Sequence, residues 1–171
     1  MTFLELAQAR FSVRKFTNQP VEKEKLDLIL TAANLAPTAK NLQPHRIYVL
    51  QSEQALAALS ALTPCVFGAK TVLLFTYNTQ EDWKNPLQAG IHSGVEDVSI
   101  VATHVMLQAQ ELGLGTCWCN YFPNAQVEQA LHIPPTEKTV LFMPLGYADK
   151  TAEPAPNHTA KKPLANTVKY L

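Results

Sequence analysis

The sequence predicts an α+β fold in which a mixed, mainly antiparallel sheet packs between helices. Three observations lead there. Apolar residues recur with helical spacing in some stretches and run continuously in others. The connections between these stretches are short for all-parallel crossovers, which take a dozen or more residues each. One helical stretch, 94–112, carries apolar groups around more than one face, so it belongs at the centre of a domain or of a dimer. A length of 171 residues fits one domain spanning 1–171.

In chain order, a short helix is expected over 3–9. Residues 22–35 read as a helix because Leu26, Ile29, Leu30 and Ala33 recur at helical spacing, and Pro37 stops it. Residues 46–50 (RIYVL) read as a strand. Residues 53–62 form a second helix with Ser52 as its N-cap. The run KTVLLFTY at 70–77 is apolar without alternation, the pattern of a strand covered on both faces. The long helix 94–112 ends at Gly113 and Gly115, and 116–119 is extended. Asn124 is expected to cap a short helix reaching His132, and TVLFMPLGY at 139–147 is another apolar strand. Beyond Ala148 come Pro154, Pro156 and Pro163 with few large apolar residues, which describes a loop-like arm over about 149–171.

Composition narrows the function. Apolar residues make up 47 % and charged residues 16 %, a globular balance. Lys plus Arg and Asp plus Glu number 14 each, so the basic excess that general nucleic-acid binding needs is missing. No stretch approaches the ~18 apolar residues of a membrane span, and the N-terminus lacks the pattern of a signal peptide. Three cysteines, Cys65, Cys117 and Cys119, cannot all pair within one chain, so a reducing cytoplasm is the expected location.

Four constellations could carry chemistry. In RFSVRKF at 10–16, an extended backbone would point Arg10, Ser12 and Arg14 one way, which suits a phosphorylated ligand; the alternative is a solvated basic turn. The stretch APTAKNLQP at 36–44 offers Asn41 and Gln43, whose amides could read a heterocycle's edge or bond their own turn. GLGTCWCN at 113–120 follows a helix and leads into a strand, the reverse of a dinucleotide glycine loop. Its cysteines lack a fourth ligand and metal spacing, so they read as buried free thiols. PLGY at 144–147 and KKPL at 161–164 complete the set; Lys161 and Lys162 could supply phosphate charge or form an exposed tail. No histidine pair or nucleophile-elbow serine supports hydrolysis.

In this order, RFSVRKF, APTAKNLQP, GLGTCW, PLGY and KKPL resemble the nitroreductase family of flavoproteins, from Arg10 to about Leu164. The resemblance implies a homodimer with FMN at the subunit interface and the C-terminal arm exchanged between subunits. It implies hydride transfer from NAD(P)H through flavin N5 to a nitroaromatic or quinone-like acceptor, by a ping-pong mechanism with no side-chain nucleophile. By the same resemblance Arg10 and Ser12 hold the FMN phosphate and ribityl chain, with Lys161 and Lys162 completing the phosphate site. Arg14 lies near the pyrimidine edge and supports the charge that develops there. Pro37, Thr38, Asn41 and Gln43 contact the cofactor from the other subunit. Trp118, Cys119, Asn120 and Tyr121 line one flavin face and offer a backbone N–H to N5, and Pro144 to Gly146 lie close by.

Some relatives of this family fragment flavin or remove halogen, and a non-catalytic flavin carrier is a further alternative. The chain departs from the family at His45, where Trp usually follows Gln-Pro. It also departs at Asn120 and Tyr121, where Glu or Gly and then Gly are common, and at Lys161, where Arg is common. A lysine there keeps the charge and loses the bidentate fork.

Overall fold

A computed structural model describes residues 1–171. The helices are α1 (Phe3–Ala9), α2 (Lys23–Asn34), α3 (Glu53–Ser60), α4 (Gly94–Glu111), α5 (Asn124–Ala130) and α6 (Leu164–Thr167). The strands are β1 (His45–Leu50), β2 (Thr71–Asn78), β3 (Gly115–Thr116) and β4 (Glu137–Gly146). They form one sheet in the order β1-β2-β4-β3, and every strand pairing is antiparallel. The single parallel contact is a bridge between Ser12 and Thr116.

The two faces of the sheet make two cores, as the alternation of a strand requires. Leu73, Phe75, Tyr77, Leu141, Met143 and Leu145 face α2 and α4. Val72, Leu74 and Phe142 face α3 and α5. This is why β2 reads as apolar throughout: helices cover both sides of it, and Thr71 to Tyr77 are all buried.

Helix α4 lies against the first core through Val98, Val101, Ala102, Val105 and Ala109, none of them measurably exposed. Its opposite side leaves Val95 and Ile100 at 50 % and 39 % exposure. At its start Gly94 is obligatory, because a Cβ would stand 2.3 Å from Cδ2 of Tyr77.

Four local expectations change. Asn124 does not cap α5: Pro123 holds the cap position, while Asn124 sits in the first turn and its amide donates to the Thr139 carbonyl at 2.7 Å. The extended run 116–119 is a strand only at Gly115–Thr116, and Cys119 rejoins β4 through an isolated bridge to Phe142. Gly113 alone ends α4, at φ 76°, whereas Gly115 already belongs to β3. The arm contains the short helix α6, although Leu164, Tyr170 and Leu171 remain exposed.

Candidate functional site

The segment 10–16 is extended. It is pinned where Val13 N–H donates to Thr116 O at 2.9 Å and where Phe16 bridges Ala148. Burial of Val13 and Phe16 supplies the driving force for that course. Gly115 permits it, since a Cβ there would lie 2.5 Å from Val13 Cγ2. Arg10, Ser12 and Arg14 then act together on one neighbour, the Cys117 thiol, which is held below the usual thiol value. The neighbouring Cys119 is the largest cause. Arg14, the Ser12 hydroxyl and Arg10 pull in the same direction, against the opposing effect of burial.

Arg10 also lines a concavity of about 420 Å³ with Lys161, Gln8, His158, Thr159 and Ala7, a lining that holds no carboxylate. Lys161 reaches it from the far end of the chain. Its ammonium donates to the His158 carbonyl at 3.1 Å, and the His158 ring meets Phe11 edge-on at 6.4 Å. Arg10, Arg14, Lys161 and Lys162 have no carboxylate partner within 4.0 Å. Lys162 is exposed and outside the concavity's lining.

The loop 36–44 is ordered by its own groups. Lys40, Asn41 and Gln43 adopt left-handed φ values of 51°, 57° and 51°. The Gln43 N–H donates to Thr38 Oγ1 at 3.0 Å, and the Gln43 amide donates to Asn41 Oδ1 at 2.9 Å. Pro37, Asn41 and Gln43 are exposed, and no hydrogen bond or ion pair joins this loop to the 10–16 segment within the chain.

Two residues beside the loop were not singled out for this part of the molecule by the sequence. Asp97 is 2 % exposed, accepts the Ala39 N–H at 2.8 Å, and accepts the Ser93 hydroxyl at 2.7 Å. An acid spaced four residues before Val101, on the apolar side of the helix, was the available signal. His45, noted in the sequence only as a departure, keeps Nδ1 buried without a partner. Burial, then the Arg46 charge, holds its imidazole below the usual value, with Asp97 opposing.

The segment 117–122 is fixed from behind. Cys119 N–H donates to Phe142 O at 3.0 Å, and the Asn120 amide donates to Val140 O at 2.7 Å. Trp118 Nε1 donates to Asn120 Oδ1 at 2.6 Å. The Asn120 backbone N–H has no partner within the chain. Asn120, Tyr121 and Phe122 line an open concavity of about 550 Å³ with Leu62, Pro64 and Pro123. Pro144 and Gly146 are buried in β4, where Pro144 O accepts the Cys117 N–H and Gly146 pairs with Gly115. All three cysteines are free thiols, and no group of three residues suited to a metal occurs.

The model of the Nitroreductase family matches residues 7–64 and 61–147. The chain belongs to that family. A crystal structure of a nitroreductase family protein from Clostridium difficile 630 is 34 % identical, superposes with a TM-score of 0.92, and covers 99 % of this chain and 98 % of its own. An FMN-dependent nitroreductase, also from Clostridium difficile, gives a TM-score of 0.79 at 28 % identity, with 98 % of each chain covered. An NADPH-flavin oxidoreductase from Vibrio harveyi is 30 % identical over 164 residues, which are 90 % of this chain and 68 % of that protein. For this nitroreductase-family chain, no helix is long and apolar enough to cross a membrane.

Proposed function

We propose that the chain is an FMN-dependent NAD(P)H oxidoreductase that passes hydride to a nitroaromatic or quinone-like acceptor. The carrying observation is the approach of Arg10 and Lys161 across one carboxylate-free concavity, with Ser12 and Arg14 further along the same extended segment. Cations without carboxylate partners fit an anionic group, and a phosphate takes charge-assisted bonds well. When bound, FMN supplies the two-electron carrier chemistry, taking hydride at N5 from the nicotinamide and yielding it to the acceptor in a second half-reaction.

The chain's own residues bind and orient. Arg10 and Lys161 would hold the phosphate, with Lys162 adding charge from outside the concavity, and Ser12 would meet the ribityl chain. Arg14, further along the same segment and without a carboxylate partner, would place a fixed positive charge beside the bound cofactor. The Asn120 N–H has no partner in the chain and would be free to donate to the bound cofactor. Trp118, the Cys119 backbone and Asn120 would back one flavin face, and Pro144 and Gly146 hold the strand that leads into that segment. Pro37, Thr38, Asn41 and Gln43 reach the cofactor from a second subunit.

A homodimer fits the same reading. Leu28 and Leu35 on or just past α2, with Val95 and Ile100 on α4, are exposed large apolar groups on one chain. The arm 149–171 ends in exposed Leu164, Val168, Tyr170 and Leu171 and is taken as exchanged with the partner. The unit is a single domain over 1–171, and its free thiols suit the reducing cytoplasm.

The visible spectrum of the purified protein tests the cofactor, and anaerobic bleaching by NADH or NADPH tests the reaction. Parallel double-reciprocal plots with a quinone acceptor are expected. A colourless protein that gains no flavin on reconstitution would overturn the reading.

A further inference from the structure

The open concavity of about 550 Å³ lies between the turn that follows α3 and the segment that leads into α5. Leu62 and Pro64 form one wall, and Asn120, Tyr121, Phe122 and Pro123 form the other. Its size is that of a small-molecule site, for which about 300–1,000 Å³ is usual. The walls are tied together from behind. Thr63, at 4 % exposure, donates its hydroxyl to the Tyr121 carbonyl at 2.7 Å and accepts the Cys65 N–H at 3.2 Å. The Phe122 N–H donates to the Asn120 carbonyl at 3.1 Å, and the Phe122 ring packs on buried Phe142 with centroids 5.2 Å apart.

The Tyr121 ring stays outside this packing at 77 % exposure. An exposed ring on a fixed backbone is a stacking surface that costs little to order, because only its side-chain torsions remain free. The lining also carries no cation and no carboxylate, in contrast to the concavity shared by Arg10 and Lys161. A charged group seated here would lose water without gaining a partner of opposite sign, which is costly. A flat uncharged ring loses apolar hydration and gains the face of Tyr121. Asn120 joins this concavity to the rest of the site: its side chain donates to Val140 O, and its backbone N–H has no partner.

We propose that this concavity seats the electron acceptor, that the acceptor is a flat, uncharged aromatic, and that Tyr121 sets its affinity by stacking. The inference rests on the proposed function, in which the Asn120 N–H meets the bound cofactor; a ring beside Asn120 then lies next to the hydride donor. An uncharged quinone takes the hydride, gains one proton from solvent and leaves as a hydroquinone. A nitro group takes the hydride and one solvent proton, loses one N–O bond, and leaves as a nitroso group and water. An acceptor that carries a carboxylate or sulfonate on the same ring is disfavoured.

A pair of probes nearly equal in shape and different in charge, 4-nitrobenzamide and 4-nitrobenzoate, tests this. With holoprotein and excess NADH or NADPH, KM for the amide should be lower by about tenfold or more. In equilibrium dialysis against oxidised holoprotein without nicotinamide, the amide should bind. Tyr121→Ala should weaken that binding about 2- to 10-fold, the range set by one aromatic stack. The kinetic effect should fall on KM more than on kcat, and Tyr121→Phe should restore both readouts. Pro64→Lys, at an exposed position on the opposite wall, adds a cation without touching Tyr121 and should narrow the preference for the amide over the benzoate.

Equal KM values for the two acceptors, or amide binding that is absent or unchanged in Tyr121→Ala, overturns the proposal. Amide that binds the apoprotein and is displaced by FMN overturns it as well, since the concavity would then belong to the cofactor. A flavin that the nicotinamide bleaches, found together with any of these results, leaves the proposed function standing. A protein that takes up no flavin overturns both.

Discussion

The Asp97 carboxylate holds the Ala39 backbone N–H at 2.8 Å, tying the first turn of α4 to the loop 36–44. Its other oxygen accepts the Ser93 hydroxyl at 2.7 Å. One buried acid thus couples the central helix to a loop whose backbone is left-handed at three positions. Asp97→Ala removes both acceptors and should cost about 1–3 kcal/mol, since it strands a partly buried N–H. Thermal unfolding would report it, and faster proteolysis within 36–44 should accompany the lower midpoint.

Gly115→Ala places a Cβ 2.5 Å from Val13 Cγ2, where neither backbone can easily retreat. Overpacking of this kind should destabilise by roughly 1–3 kcal/mol. Val13→Ala in the same chain should recover part of the loss. An unchanged denaturation midpoint for Gly115→Ala would mean that the segment 10–16 is free to move off β3.

Arg10 and Arg14 should separate binding from reaction. Arg10→Ala removes a cation from the concavity it shares with Lys161 and should weaken FMN retention. Loss of a charge-assisted bond worth about 1.5–3 kcal/mol corresponds to roughly 10- to 100-fold in dissociation constant. Arg14→Ala should leave retention nearly intact and slow flavin reduction by about 10- to 100-fold. Equilibrium dialysis and stopped-flow reduction measure the two effects, and identical phenotypes would end this division of roles.

His45 makes stability depend on pH. Burial lowers its folded-state value beneath the usual imidazole value of about 6.5. As pH falls through that usual value the unfolded chain takes up a proton that the folded chain resists, so stability drops until the lower folded value is passed. His45→Phe should flatten this part of the stability curve. Urea titrations at several pH values give the slope, and an unchanged slope in the variant would place the effect elsewhere.

Much of the fold was legible because burial writes a period into the chain. The unbroken apolar run of β2 announced a strand covered on both faces, and Ser52 announced α3, whose Ala55 N–H it accepts at 3.2 Å. Asn124 misled for a physical reason. Its amide finds the Thr139 carbonyl, a partner across the fold that local sequence cannot display. Gly113 and Gly115 look alike in sequence, yet one supplies a left-handed φ and the other a gap for Val13.

The sequence by itself determined most of the elements, the α+β class and the family, because these rest on local periodicity and on short ordered motifs. Only the tertiary structure decided that Lys161 lines one concavity with Arg10, that Asp97 holds the loop 36–44, and that Cys119 rejoins β4 at Phe142. Those relations join residues far apart in the chain. Proximity of that kind arises from packing two cores against one sheet, and no local pattern encodes it.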